Sequence, residues 1–111
     1  MGLFDLFARR PALSEGLEQY RNTSGAVLLD VRTPEEYHAG HIPGSVNIPL
    51  GRTDTITAIS PDPEARLYVY CRSGSRSAQA CALFQQMGYK SVQNIGGILS
   101  WHGEIAEGES A

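Results

Sequence analysis

Short apolar runs alternate with helical patterns along this chain, and that alternation restricts the fold more than any other feature. Ala26-Val27-Leu28-Leu29, Val46-Asn47-Ile48, Leu67-Tyr68-Val69-Tyr70 and Val92-Gln93-Asn94-Ile95 each read as a strand. Continuous apolar runs of this length suit strands buried on both faces. Helix signals fill the gaps between them. Pro11 to Asn22 predicts a short helix, with Ser14 as candidate N-cap and Leu17 and Tyr20 on one face. Thr33, Pro34 and Glu36 have the spacing of a capping box that starts a second helix, which Gly40 stops. His41-Ile42-Pro43-Gly44 is turn chemistry. Thr53 to Ile59 predicts a helical crossover ended by Pro61 and Pro63, and Ala78 to Met87 a longer helix that Gly88 caps. Gly96-Gly97 reads as a turn before a last helical turn, Ile98 to His102, built around Trp101. Strands alternating with helices imply an α/β domain, its parallel sheet covered by helices on both faces. Active sites of such sheets lie at the carboxyl ends of the strands.

Cys71 stands at one of those ends. The segment Cys71-Arg72-Ser73-Gly74-Ser75-Arg76-Ser77 links the apolar run to the helix pattern, so a thiol sits beneath a helix N-terminus with arginines in its loop. Unpaired backbone N–H groups and the positive helix end stabilise an anion there, and nearby cations lower a thiol's pKa. A nucleophilic thiolate is the chemistry this predicts. Cys81, on the following helix among Ala80, Ala82 and Phe84, is read as core.

Composition sets the outer limits. With 111 residues, 41% of them hydrophobic, the chain forms one domain with a single small core. A net charge of -3 and nine basic residues without a run give no footprint for nucleic acid. Two cysteines ten residues apart form neither a disulfide framework nor, with no second Cys or His beside them, a metal cluster. Residues 1–12 are read as an N-terminal amphipathic extension, in which Leu3, Phe4, Leu6 and Phe7 precede Arg9 and Arg10. Its charges follow its apolar residues, and Leu6 occupies the place where a myristoylation motif has Ser or Thr. It is expected to pack on its own domain or on a sister copy instead of a membrane. No stretch approaches the length of a membrane span. The expected location is the reducing cytoplasm, where a thiolate stays reactive.

These residues match a known pattern. Leu29-Asp30-Val31-Arg32-Thr33-Pro34-Glu35-Glu36-Tyr37, followed by Gly40-His41-Ile42-Pro43-Gly44-Ser45, resembles the entry motif of rhodanese domains. Cys71 to Ser77 looks like their active-site loop, and Gly96-Gly97 with Trp101 is similar to their closing motif. The resemblance implies a rhodanese-like three-layer α/β domain over residues 13–102, with a central parallel sheet of about five strands and helices on both faces. Residues 103–111 are expected to form a tail without fixed structure, because Ile105 is the one sizeable apolar residue among them. The resemblance also implies a sulfurtransferase. In that scheme Cys71 takes the outer sulfur of thiosulfate as a persulfide and passes it to cyanide or a cellular thiol, with a protein acceptor as a further option. The scheme calls on no cofactor and no metal.

In the loop, the backbone N–H groups of Arg72 to Ser77 are expected to converge on the Cys71 sulfur, with Gly74 permitting the tight curvature. Ser73 and Ser75 add hydroxyl donors, while Arg72 and Arg76 supply positive charge where a dianionic donor approaches. A basic loop of this kind resembles those of thiosulfate users; mercaptopyruvate-using relatives look like Cys-Gly-Ser-Gly-Val-Thr, which this chain lacks. Asp30 is read as a supporting group that accepts hydrogen bonds from the loop or from Arg32. Glu36 caps its helix and is a candidate partner for Arg32. His41 is read as ordering its turn, since persulfide formation needs no base. The alternatives are a non-catalytic rhodanese-like binding module, a persulfide carrier, or a phosphatase or arsenate reductase. Dual-specificity phosphatases look like rhodanese relatives whose loop places five residues between Cys and Arg. Here four residues separate Cys71 from Arg76, a nest better sized for sulfur than for a tetrahedral oxyanion.

Overall fold

The computed structural model describes residues 13–109. The amphipathic segment Leu3–Arg10, with the rest of extension 1–12, lies outside the described residues, as do positions 110 and 111.

Helix α1, Leu13–Arg21, precedes strand β1, Val27–Asp30, and helix α2, Pro34–Ala39. Strand β2, Val46–Asn47, leads into a 3-10 segment, Leu50–Thr55, and the one-turn helix α3, Ile56–Ile59. Strand β3, Arg66–Cys71, helix α4, Ser75–Gln86, strand β4, Ser91–Gly97, and a 3-10 turn, Ile98–Ser100, complete the order. The sheet runs β2-β1-β3-β4 with every pairing parallel, four strands among the described residues, which puts β3 between two neighbours.

Alternate side chains of the inner strands serve opposite faces, as the two-residue period of a strand requires. Leu67, Val69 and Cys71 join Leu29, Ala80, Cys81 and Phe84 in one apolar cluster under α4. Tyr68 and Tyr70 point the other way and join Leu13, Leu17, Leu28, Ile42 and Ile95 under α1. Two covered faces make three layers, the arrangement the alternation predicts. Trp101 packs part-buried against the second cluster and donates its indole N–H to the Glu104 carbonyl at 2.8 Å.

The capping box forms as expected. Thr33 Oγ1 accepts from the Glu36 N–H at 3.2 Å while Glu36 Oε1 accepts from the Thr33 N–H at 3.1 Å. Gly88 follows α4 at φ +105°, the left-handed conformation that ends a helix cheaply only for glycine.

Several expectations give way. Ser14 lies inside α1 and not at its cap, because the apolar face already includes Leu13, which is fully buried. The crossover Thr53–Ile59 is helical as expected but only in part as α-helix: Leu50–Thr55 winds as a 3-10 helix with a kink at Arg52, and Ile56–Ile59 is α-helical. Gly96 and Gly97 belong to β4 and form no turn. The tail is tied back as far as Gly108. His41 and Ala106 exchange backbone hydrogen bonds of 2.9 Å in an antiparallel bridge, and the Gly108 N–H reaches the His38 carbonyl at 2.8 Å. Backbone pairing needs no apolar side chain, so composition gives no sign of it.

Candidate active site

Strand β3 delivers Cys71 to the carboxyl edge of the sheet, with 1% of the residue exposed. The loop then turns sharply through Gly74 at φ +108°, a backbone conformation that a Cβ would strain. Gly74 caps α4 without any side-chain hydrogen bond, so the amides of the first turn remain available to the sulfur. The Gly74 N–H donates to Cys71 Sγ at 3.0 Å, and the Ser77 hydroxyl lies 3.4 Å from it. Burial pushes the Cys71 thiol up, but the Ser77 hydroxyl and the amides of Ser77, Gly74 and Ser73 outweigh it, and the net shift is downward. Cys81 shows burial without such donors: its thiol is pushed up to about 12. Both cysteines are buried, and only Cys71 has hydrogen-bond donors that outweigh burial.

The arginines divide. Arg72 is exposed at the rim of the loop, beside exposed Ser73 and Ser75. Arg76 turns toward α2, where Nη1 and Nη2 meet Glu36 Oε1 and Oε2 at 2.6 and 3.0 Å. This forked pair holds the Glu36 carboxyl down at about 2. Glu36 thus takes Arg76, not Arg32, as its side-chain partner, because Arg32 folds back onto its own strand end. The Arg32 guanidinium meets Asp30 Oδ2 at 2.7 Å, both side chains buried, and donates to the half-buried Gly40 carbonyl at 2.7 Å. Asp30 also accepts the Arg32 N–H at 2.9 Å. Buried charges persist where they are paired and hydrogen-bonded in this way. His41 is buried, stacks on Tyr37 with ring centroids 3.7 Å apart, and sets Nδ1 2.8 Å from the Tyr37 carbonyl.

The structure therefore gathers Cys71, Ser73, Gly74 and Ser77 around one sulfur. It sets Arg76 with Glu36 against α2, and Asp30 with Arg32 beside the turn that contains His41.

Three residues that sequence reasoning missed complete the loop's support. Asn94 on β4 donates to the Gly74 carbonyl at 3.0 Å and accepts the Ser77 hydroxyl at 2.7 Å. The Leu99 N–H reaches the Arg72 carbonyl at 3.2 Å. Gly97 packs so closely that a Cβ there would lie 2.1 Å from the Arg72 carbonyl oxygen. Asn94 follows the equally polar Gln93 in this strand, so the sequence carries no signal that sets it apart.

An activated cysteine at the carboxyl end of an inner strand, in a single parallel α/β domain, is the class that fold and loop define. The model of the rhodanese-like domain matches residues 13–104. The chain belongs to the rhodanese-like family. It is 41% identical over 71 residues to the thiosulfate sulfurtransferase PspE of Escherichia coli strain K12, covering 63% of this chain and 68% of that one. It is 42% identical over 91 residues to a sulfurtransferase of Allochromatium vinosum, covering 79% and 83%. Among solved structures, a rhodanese with anions from E. coli superposes with a TM-score of 0.70 at 36% identity, over 75% of this chain and 99% of that one.

Proposed function

We propose that this chain is a sulfurtransferase that carries sulfur as a persulfide on Cys71, with thiosulfate as donor. The observation that carries the reading is the convergence of the Gly74 N–H, at 3.0 Å, and the Ser77 hydroxyl, 3.4 Å away, on a buried thiol whose pKa is lowered. Such donors hold a negative sulfur, whether thiolate or persulfide. The Cys71 thiolate attacks the outer sulfur of thiosulfate. The new S–S bond forms as the bond to the sulfonate sulfur breaks, and sulfite leaves with the electron pair. The persulfide then carries the negative charge into the same nest of donors. A nucleophile such as cyanide or a thiolate takes the outer sulfur and returns Cys71 as thiolate, so neither half requires a general base. Exposed Arg72 offers the charge that draws in a dianion, while Arg76, forked to Glu36, fixes the first turn of α4.

Sulfurtransferase names among the relatives support this reading, and the short span from Cys71 to Arg76 favours sulfur over phosphate. A pure binding module has no use for a lowered thiol pKa. The deciding experiment is intact mass after incubation with thiosulfate. One sulfur is expected on Cys71, removed by cyanide, and lost entirely in Cys71→Ser. An adduct on Cys81, no adduct on the reduced protein, or robust turnover of an aryl phosphate would overturn the reading.

A further inference from the structure

The structure assigns Asn94 the role of positioning residue for the cysteine loop: acting through the Gly74 carbonyl and the Ser77 hydroxyl, its side-chain amide holds the donors that stabilise an anion at Cys71. This deepens the proposed function and rests on it for the importance of that anion to turnover.

Strand β4 carries a bulge for this purpose. Val69 pairs with Asn94 and Tyr70 with Gly96, so Ile95 has no partner of its own across the ladder. Asn94 Oδ1 accepts the Gly96 N–H at 3.0 Å and closes the bulge, with Gly96 at φ +102°. Bulges re-aim side chains, and this one aims Asn94 across the sheet edge at the loop.

The orientation of the amide is fixed by its partners. The Gly96 N–H can only donate and the Gly74 carbonyl can only accept, so Oδ1 faces the first and Nδ2 the second, at 3.0 Å each. Ser77 Oγ, 2.7 Å from Oδ1, must then donate to it. That single hydroxyl proton has three acceptors within reach: Asn94 Oδ1 at 2.7 Å, the Gly74 carbonyl at 3.0 Å and Cys71 Sγ at 3.4 Å. Against a neutral thiol the shortest bond wins. Against a thiolate the charge-assisted bond to sulfur wins, and Oδ1 keeps the Gly96 N–H, so nothing is left unpaired.

Asn94 thereby parks the hydroxyl beside the sulfur in both protonation states. Its Nδ2 also donates to the Gly74 carbonyl at 3.0 Å, taking one of that oxygen's two lone pairs. It further locks the residue whose N–H donates to Sγ at 3.0 Å. Asn94 acts on the Cys71 sulfur through the Ser77 hydroxyl and Gly74, so its effect must appear as a property of Cys71.

The test is the pH dependence of Cys71 alkylation by iodoacetamide, read by intact mass on the full chain. Asn94→Leu should raise the midpoint by about one pH unit, the size of one hydrogen bond to a charged group, and slow alkylation at neutral pH about tenfold. The pH profile of kcat/KM with thiosulfate should move by the same amount. Asn94→Asp keeps the shape and the acceptor oxygen but replaces the donor to Gly74 with a negative oxygen, and should raise the midpoint at least as far. It carries the test if Asn94→Leu does not fold. Gln93→Ala, next along the strand, removes an exposed bond to Gln19 and should leave the midpoint in place. Folded Asn94 variants with the wild-type midpoint would overturn the assignment. A shifted midpoint in a protein that takes no sulfur from thiosulfate would support the role of Asn94 and sink the sulfurtransferase reading instead.

Discussion

Replacing Gly97 with alanine adds one methyl group to the back of the active-site loop and changes little else. Gly97 has φ -132° and ψ 148°, extended backbone that any residue adopts, so strain in the strand does not enter. The new Cβ would lie 2.1 Å from the Arg72 carbonyl oxygen and 2.6 Å from its carbon, where real Cβ atoms essentially never come closer than 3.0 Å. The loop must therefore retreat by about 1 Å, roughly the gap between those distances, since both atoms are backbone and cannot rotate away. That retreat stretches the bond from Leu99 to Arg72 and shifts the donors that frame Cys71 Sγ. A misplacement of about 1 Å costs on the order of a hundredfold in rate, and overpacking costs about 1–3 kcal/mol in stability. Stopped-flow sulfur loading from thiosulfate, with a thermal melt alongside, reads both. Gly51→Ala is the control, because nothing lies within 4 Å of a Cβ built there and its φ is not in the left-handed range. Gly97→Ala with wild-type loading would refute the claim that this contact sets the shape of the loop.

The thiols should separate by reagent: at pH 7.5 iodoacetamide should label Cys71 and spare Cys81, whose thiol is pushed up to about 12, as peptide mapping would show. Cys81→Ala should lose about 1 kcal/mol in a denaturant titration, through the small cavity it leaves, and keep full sulfur loading. Glu36 has its folded pKa depressed to about 2 from an ordinary 4.5, so its contribution is fully present above pH 4.5 and is lost as pH falls toward 2. Glu36→Gln should remove that part of the acid dependence. The loss at neutral pH should be about 1 kcal/mol, since side chains 30% and 31% exposed screen the pair; equal acid curves for the two proteins would contradict it.

The layers, the parallel sheet and the cysteine at a strand end were legible because each rests on a local signal: apolar runs, a capping box, a glycine after a helix. The supports of the site were not. Glu36 and Arg76 are forty residues apart, and their pairing depends on how α2 docks beside α4. Arg32 offered a nearer partner for Glu36 in the chain, but Asp30 claims it within the same turn. Two adjacent glycines signal a turn, and Gly96-Gly97 instead serve a bulge and a close backbone approach, uses that the same residue type permits. The segment after Gly103 has too little apolar surface to announce itself, yet Ala106 is held by the main chain of His41.

The tethers at Asn94, Gly97 and Leu99 all lie downstream of Cys71 in the chain. Synthesis proceeds from the N-terminus, so the cysteine emerges well before the residues that shape its loop. A nascent chain exposed only as far as α4 carries Cys71 without the braces on Gly74 and Arg72. The loop around Cys71 takes its full set of tethers only when β4 docks.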